Sequence, residues 1–332
     1  MTYSRLQYIQ MSEYTKRGAG MKYRRLGKSG VKVSEISLGS WLTYGESVDK
    51  AKSFACIKEA YDQGINFFDT ANVYNRGAAE MVVGEALREY SRDSYVLATK
   101  CYFPMGDGPN DRGLSRKHIM EQCEASLKRM GVDYMDLYQC HRYDSDTPLE
   151  ETLRALDDLV TQGKALYVGV SEWSAVQIDD AVHTAHKLNL DQIVSNQPVY
   201  NMLNRYIEKD VLPLCDREGI GQVVFSPLAQ GLLTGKYKPG QAVPSDSRAA
   251  KIDWFNKSIN DEQLIKVEKL STIATNLGVS IAQLALAWIL RQQGVSSTII
   301  GASRPEQVAE NCKASDLQLD EAVLTEIDTI LA

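Results

Sequence analysis

Short apolar runs alternate along this chain with longer stretches in which apolar residues recur every three or four positions. The short runs fall at Glu35–Ser40, Asn66–Ala71, Tyr95–Lys100, Asp136–His141, Ala165–Ser171, Gln192–Gln197, Gly221–Leu228 and Ser297–Ala302. A brief, continuous apolar run bounded by polar residues is the pattern of a parallel strand buried on both faces. Between the runs the period is helical. In Lys117 to Met130 the apolar positions are Ile119, Cys123, Leu127 and Met130, and in Leu149 to Val160 they are Leu149, Leu153, Leu156 and Val160. Eight such units without a composition break predict a single α/β domain, a closed (β/α)8 TIM barrel. A doubly wound open sheet is the competing architecture.

The remaining segments decorate that barrel. Met1 to Gly20 is polar and lacks the apolar core of a signal peptide, so residues 1–20 read as a flexible N-terminal extension and 21–332 as the domain. Lys22–Leu26 and Val31–Val33 flank the turn Gly27-Lys28-Ser29-Gly30, a β-hairpin signal that should cover one end of the fold. Gly27-Lys28-Ser29 is not a phosphate loop, because Lys22 stands where its first glycine belongs. From Ala229 to Asn260 the chain is rich in Gly, Pro, Lys and Ser, too long for a plain connection after strand seven, and reads as a lid or a disordered loop. Extra C-terminal helices are expected at Asp261–Leu277, at Ser280–Gln292 with Ser280 as N-cap, and near Asp320–Leu331.

Composition narrows the function. The chain has 332 residues, 44% of them hydrophobic, enough for a sizeable core. Its formal charge of −6, from 37 basic and 43 acidic side chains, argues against nucleic acid and anionic membrane surfaces as partners. No apolar run is long enough to span a membrane. The six cysteines are scattered without metal-like spacing, which fits reduced thiols in a cytoplasmic protein. His183 and His186 lie three apart on a predicted helix but have no indicated partner, so no metal is expected.

In a barrel the strand ends converge on one face, and there the candidate chemistry lies. The second run ends in Asp69 with Tyr74 beyond it, the third in Lys100, the fourth in His141. A phenol with a pKa of about 10 is a weak acid at neutral pH. A neighbouring lysine should lower that pKa, and a carboxylate should keep the lysine charged. On this reading Tyr74 is a general acid tuned by Lys100 and Asp69, with His141 orienting a carbonyl oxygen or helping to pass the proton.

These residues carry a resemblance. The chain is similar to the aldo-keto reductases, and in particular to the branch that holds the beta subunits of voltage-gated potassium channels and their bacterial relatives. The likeness runs through Gly39-Ser40-Trp41, Phe68-Asp69-Thr70-Ala71 with Tyr74, Thr99-Lys100, Gly113-Leu114-Ser115-Arg116-Lys117-His118, Thr147-Pro148-Leu149-Glu150-Glu151-Thr152, Ser226-Pro227-Leu228, Gly235-Lys236-Tyr237 and Gly301-Ala302-Ser303. It implies a catalytic tetrad of Asp69, Tyr74, Lys100 and His141, and a nicotinamide cofactor held at the barrel mouth.

By the same resemblance Ser40 and Trp41 border the cofactor, Ser171 and Gln197 hold its carboxamide, and Phe225 lies against the ring. Ser226, Leu228 and Lys236 are implied on the pyrophosphate side. Gly301, Ser303, Gln307, Glu310 and Asn311 are implied at the adenosine end. Arg248 and Arg304 are candidates for a 2′-phosphate, which favours NADPH over NADH. The chain departs from the channel subunits at His141, where they have Asn, at Glu172, where they have Arg, and at Gln230, where they have Cys.

The leading expectation is NADPH-dependent reduction of aldehydes or ketones. The alternatives are a cofactor-sensing binding subunit with little turnover, or an alcohol or polyol dehydrogenase; Trp41, Tyr44 and Trp173 near the mouth fit either an apolar substrate pocket or a partner surface. A homo-oligomer is compatible with either enzyme or subunit.

Overall fold

The computed structural model describes residues 20–41, 49–245, 247–251 and 253–332. Tyr44 lies outside the described residues.

The chain opens with an antiparallel hairpin of β1 (Tyr23–Arg25) and β2 (Lys32–Ser34), in which Arg24 faces Val33. Eight parallel strands follow: β3 (Ile36–Gly39), β4 (Phe67–Asp69), β5 (Val96–Cys101), β6 (Met135–Cys140), β7 (Ala165–Ser171), β8 (Ile193–Gln197), β9 (Gly221–Val224) and β10 (Val295–Ile300). They close in the order β10-β3-β4-β5-β6-β7-β8-β9. The expected barrel and its eight strands are therefore present. β3, β4, β6, β9 and β10 end one or more residues inside their apolar runs, β7 and β8 end with theirs, and β5 runs one residue further, to Cys101. β10 also starts at Val295, two residues before its run, and β6 at Met135, one before.

The hairpin closes the floor of this barrel. Leu26 and Val33 have no exposed surface and pack with Phe67, Val96, Leu137, Val223 and Ile299 in the barrel interior. Gly27 makes the approach possible. Its φ of +58° favours glycine, and a Cβ there would lie 2.3 Å from the Gly219 carbonyl oxygen. Lys28 N–H donates to that same carbonyl at 2.8 Å. Since β9 begins at Gly221, the plug sits at the N-terminal end of the strands, and the opposite end stays open for chemistry.

A second apolar layer lies between the strands and the surrounding helices. Helix Ile281–Leu290 is buried along its length and is started by a capping box, with Ser280 and Gln283 each bonding the other's backbone N–H. The stretch after β9 departs from the expected bare lid. It folds into a turn at Ala229–Thr234 and short helices at Arg248–Lys251 and Asp253–Ser258, where Leu232, Tyr237, Ala249, Phe255 and Leu264 make a small apolar core. Apolar residues spaced through a polar segment supplied that core. No single helix among the described residues is long and apolar enough to cross a membrane. All six cysteines are buried.

Candidate active site

Each candidate side chain stands where a strand runs out. Asp69 is the last residue of β4, Lys100 the penultimate residue of β5, and His141 follows β6 directly. Ser171 ends β7 and Gln197 ends β8, while Ser40, Phe225 and Gly301 follow β3, β9 and β10. The closed strand order brings all of these ends to one rim.

At the centre of that rim is a buried ion pair. Lys100 Nζ donates to Asp69 Oδ1 at 2.5 Å and to the Thr70 carbonyl at 2.8 Å. The other carboxylate oxygen of Asp69 accepts from Gln197 Nε2 at 2.9 Å and from Gln139 Nε2 at 3.4 Å. Both lone-pair regions of the carboxylate are thus used, the condition under which a buried charge is tolerable. Burial pulls the Lys100 ammonium below its usual range, while the charge of Asp69 acts in the opposite direction.

Tyr74 is carried by a strained turn, Tyr74–Gly77, in which Asn75, Arg76 and Gly77 have φ of 45°, 50° and 91°. Arg129 braces this turn: a Cβ on Gly77 would lie 2.6 Å from Arg129 Cδ. Arg129 Nε in turn bonds Glu80, fully buried on the helix that follows, and Glu80 also accepts from Thr99 beside Lys100. One ion pair therefore ties the turn of Tyr74 to the strand of Lys100.

The electrostatics of the phenol differ from the sequence expectation. Lys100 Nζ lies 5.2 Å from the centre of the Tyr74 ring, but its hydrogen bonds go to Asp69 and Thr70. Burial and then the Asp69 charge push the Tyr74 pKa well above its ordinary value, and the cation that opposes them is Arg142. A lysine saturated by a carboxylate does not lower a neighbouring phenol as a free one would. The His141 ring lies 5.6 Å from that of Tyr74 and 4.9 Å from that of Phe103. Burial, followed by the charges of Lys100 and Arg142, holds its pKa well below the ordinary imidazole value, so the ring is neutral at neutral pH. Its Nδ1 is buried without a hydrogen-bond partner among the described residues.

The candidate cofactor residues extend from this centre across the β7 to β10 side. Ser171 Oγ donates to the Gln197 carbonyl at 2.8 Å, and the Gln197 amide nitrogen donates to Asp69 Oδ2 at 2.9 Å. Phe225 is half-buried against the barrel interior. Ser226, Ala229 and Gln230 have φ of 52°, 45° and 57°, and Gln230 Oε1 is buried without a partner among the described residues. Next to this strained loop, Lys236 Cε would lie 3.2 Å from a Cβ on Gly231. Leu228 is half-buried against the main core.

At the rim beyond β10, Gln307 Oε1 accepts from both Ser303 N–H at 2.8 Å and Ser303 Oγ at 3.2 Å. Arg304 is exposed at the start of helix Pro305–Cys312, Asn311 is buried on it, and Glu310 pairs with Lys313 at 3.1 Å. Neither Lys236 nor Arg304 has a carboxylate within ion-pair distance among the described residues. Two unpaired cations, a strained loop and an orphaned amide oxygen fit a long anionic ligand such as a nicotinamide dinucleotide. The side chain of Arg248 lies outside the described residues.

Trp173 is 1% exposed and stacks edge-on against Tyr143 at 4.8 Å, so it belongs to the core and not to a partner surface. Trp41 is exposed. His183 and His186 are exposed, and no metal-binding cluster occurs among the described residues. Residues the sequence did not reveal are Gln139, Thr70, Phe103 and Arg142. Gln139 carries a signal, a lone amide inside the apolar run Leu137–Cys140, and Arg142 would emerge from a strand-end search extended by one residue.

Comparison with known proteins agrees with this geometry. The chain is 47% identical over 319 residues to a probable voltage-gated potassium channel subunit beta of Arabidopsis thaliana, covering 94% of this chain and 97% of that protein. A putative subunit of the same name from Schizosaccharomyces pombe is 47% identical over 321 residues, 93% of each chain. The rice counterpart is 46% identical over 303 residues, 90% of this chain and 92% of its own. Residues 35–332 match the family model of the Aldo/keto reductase family. On these matches, with the closed barrel and the residues at its rim, the chain is an oxidoreductase that belongs to the aldo/keto reductase family.

Proposed function

We propose that this protein reduces aldehydes and ketones to alcohols with NADPH, using Tyr74 as proton donor. The observation that carries the reading is the buried Lys100–Asp69 pair beside the Tyr74 and His141 rings. When bound, the reduced nicotinamide supplies a hydride to the carbonyl carbon.

The chain's own residues do the rest. The raised pKa keeps Tyr74 protonated at neutral pH. A carbonyl oxygen gaining negative charge becomes a stronger base than a phenolate, so the proton moves to it as the charge develops. The Arg142 guanidinium favours the phenolate left behind. Neutral His141 donates a hydrogen bond to the carbonyl oxygen and orients it. Asp69 fixes Lys100 and, through Gln197 and Gln139, the floor of the site.

Ser40, Trp41, Ser171, Gln197 and Phe225 would border the nicotinamide half. Ser226, Leu228 and Lys236 would take the pyrophosphate. Gly301, Ser303, Gln307, Glu310 and Asn311 would take the adenosine, and Arg248 and Arg304 its 2′-phosphate. For Gln197 the role requires its carbonyl side, since the amide N–H is engaged.

The test is direct. Purified protein mixed with NADPH and a panel of small carbonyl compounds should consume reduced cofactor; no consumption with any compound would overturn the reading. A second reading has its own support in the printed names of the relatives, channel beta subunits at 46–47% identity. On it the barrel is a binding subunit that carries NADPH as a signal, and the same assay would find bound cofactor without turnover.

A further inference from the structure

Among the described side chains, half-buried arginines in this protein come with a carboxylate, with one exception. Arg24 pairs with Glu35, Arg92 with Asp136, Arg129 with Glu80, and Arg205 and Arg291 with Glu208. Arg142, equally half-buried, has no ion pair among the described residues. Its Nη1 donates to the His141 carbonyl at 2.5 Å, and its guanidinium carbon lies 5.5 Å from the centre of the Phe103 ring. A guanidinium has five N–H donors, and leaving most of them without an acceptor at a half-buried position is costly.

The surrounding carboxylates are committed elsewhere. Asp69 is held by Lys100 and Gln197. Glu172 accepts from Val199 N–H and, at 3.2 Å, from Tyr206 O–H. Asp144 accepts from Leu114 N–H and Thr147 Oγ1. The guanidinium also shares the space of the candidate tetrad, because Phe103 contacts both Arg142 and His141, and His141 contacts Tyr74. Its charge registers at Tyr74, Lys100 and His141 alike.

We propose that Arg142 selects carbonyl substrates that carry a carboxylate or phosphate group, binding that group through the free edge of its guanidinium while the carbonyl lies at Tyr74. The inference rests on the reductase reading above and adds a substrate class to it. A planar guanidinium suits both oxyanions, which it can grip with two parallel hydrogen bonds.

The test compares matched pairs: butanal with 4-oxobutanoate, and glyceraldehyde with glyceraldehyde 3-phosphate. For each pair the ratio of kcat/KM, anionic over neutral, is measured within one protein, which cancels any change in the chemistry of Tyr74. The unaltered protein should favour the anion in at least one pair by about tenfold or more. The pair that shows it identifies carboxylate or phosphate. Arg142→Gln should abolish the preference, and Arg142→Lys should keep part of it.

Turnover of the neutral compounds with no charge preference overturns this inference alone. So does an unchanged ratio in Arg142→Gln, including the case where only the KM for NADPH rises, which would give the residue to the cofactor. Absence of turnover on every carbonyl compound overturns the reductase reading and this inference with it. Should Arg142→Gln not fold, Arg142→Lys and inhibition of the unaltered protein by succinate decide. Inhibition competitive with 4-oxobutanoate supports the proposal, and none overturns it.

Discussion

Lys100 faces Asp69 at 2.5 Å with both side chains removed from water. A buried pair of this kind is costly to break from one side only, because the survivor stays charged and unpaired. Lys100→Met should lower stability by about 3–5 kcal/mol. The double variant Asp69→Asn with Lys100→Met should lose less than the two single changes summed, by about 1 kcal/mol or more. Urea denaturation of the four proteins measures this, and simple additivity would contradict a coupled pair.

Tyr74→Phe should cut carbonyl reduction by about 10²–10⁴-fold while leaving the affinity for reduced cofactor intact, as fits loss of a general acid. The pH profile adds a second check. The acid form is the working form, so its contribution is present below the phenol pKa and lost as pH rises through it. With that pKa raised above 10.0, kcat/KM for reduction should show no tyrosine limb in the neutral range. A tyrosine-dependent fall near neutrality would mean that the phenol is lowered in the working enzyme.

His141 predicts a pH dependence of folding. Its folded pKa is depressed below the ordinary 6.5, so the unfolded chain binds the proton more tightly. Stability is whole above pH 6.5 and falls as pH drops below it, by up to about 1.4 kcal/mol per unit. His118, also depressed by burial, acts with the same sign. Between pH 7.5 and 5.5, His141→Asn should therefore lose about 1 kcal/mol less than the unaltered protein. Equal losses would place the sensitivity elsewhere.

Cofactor choice can be read at Arg304, an exposed cation without a carboxylate partner among the described residues. Arg304→Ala should reduce the preference for NADPH over NADH by up to about tenfold and leave NADH binding unchanged. Equilibrium binding of the two cofactors checks it, and Arg248→Ala forms a parallel arm. An unchanged preference in either variant removes that residue from the 2′-phosphate.

The strands and their ends were legible in the sequence because parallel strands buried on both faces interrupt a helical rhythm with unmistakable apolar blocks. Asp69, Lys100 and His141 could be placed at one rim from that alone. What stayed hidden was depth and pairing around the rim. Gln139 and Gln197 lie 70 and 128 residues from Asp69, and only barrel closure brings them together. For the same reason Lys100 could be set near Tyr74 but not assigned to Asp69 in preference to it. The hairpin was recognisable from its glycine-bounded turn, yet which end it covers depends on Gly27 meeting Gly219 and Gly221, a contact between segments distant in the chain.

That hairpin bears on how the protein should be trimmed. The family match begins at residue 35, after the hairpin has ended. A chain cut to that boundary would keep every rim residue and still lose Leu26 and Val33, each worth about 1.5–3 kcal/mol of burial, from the underside of the barrel. It would leave Phe67, Val96 and Leu137 wet from below, an exposed apolar floor prone to aggregation. A form that starts at Met21, whose side chain is already in the core, would keep that floor covered.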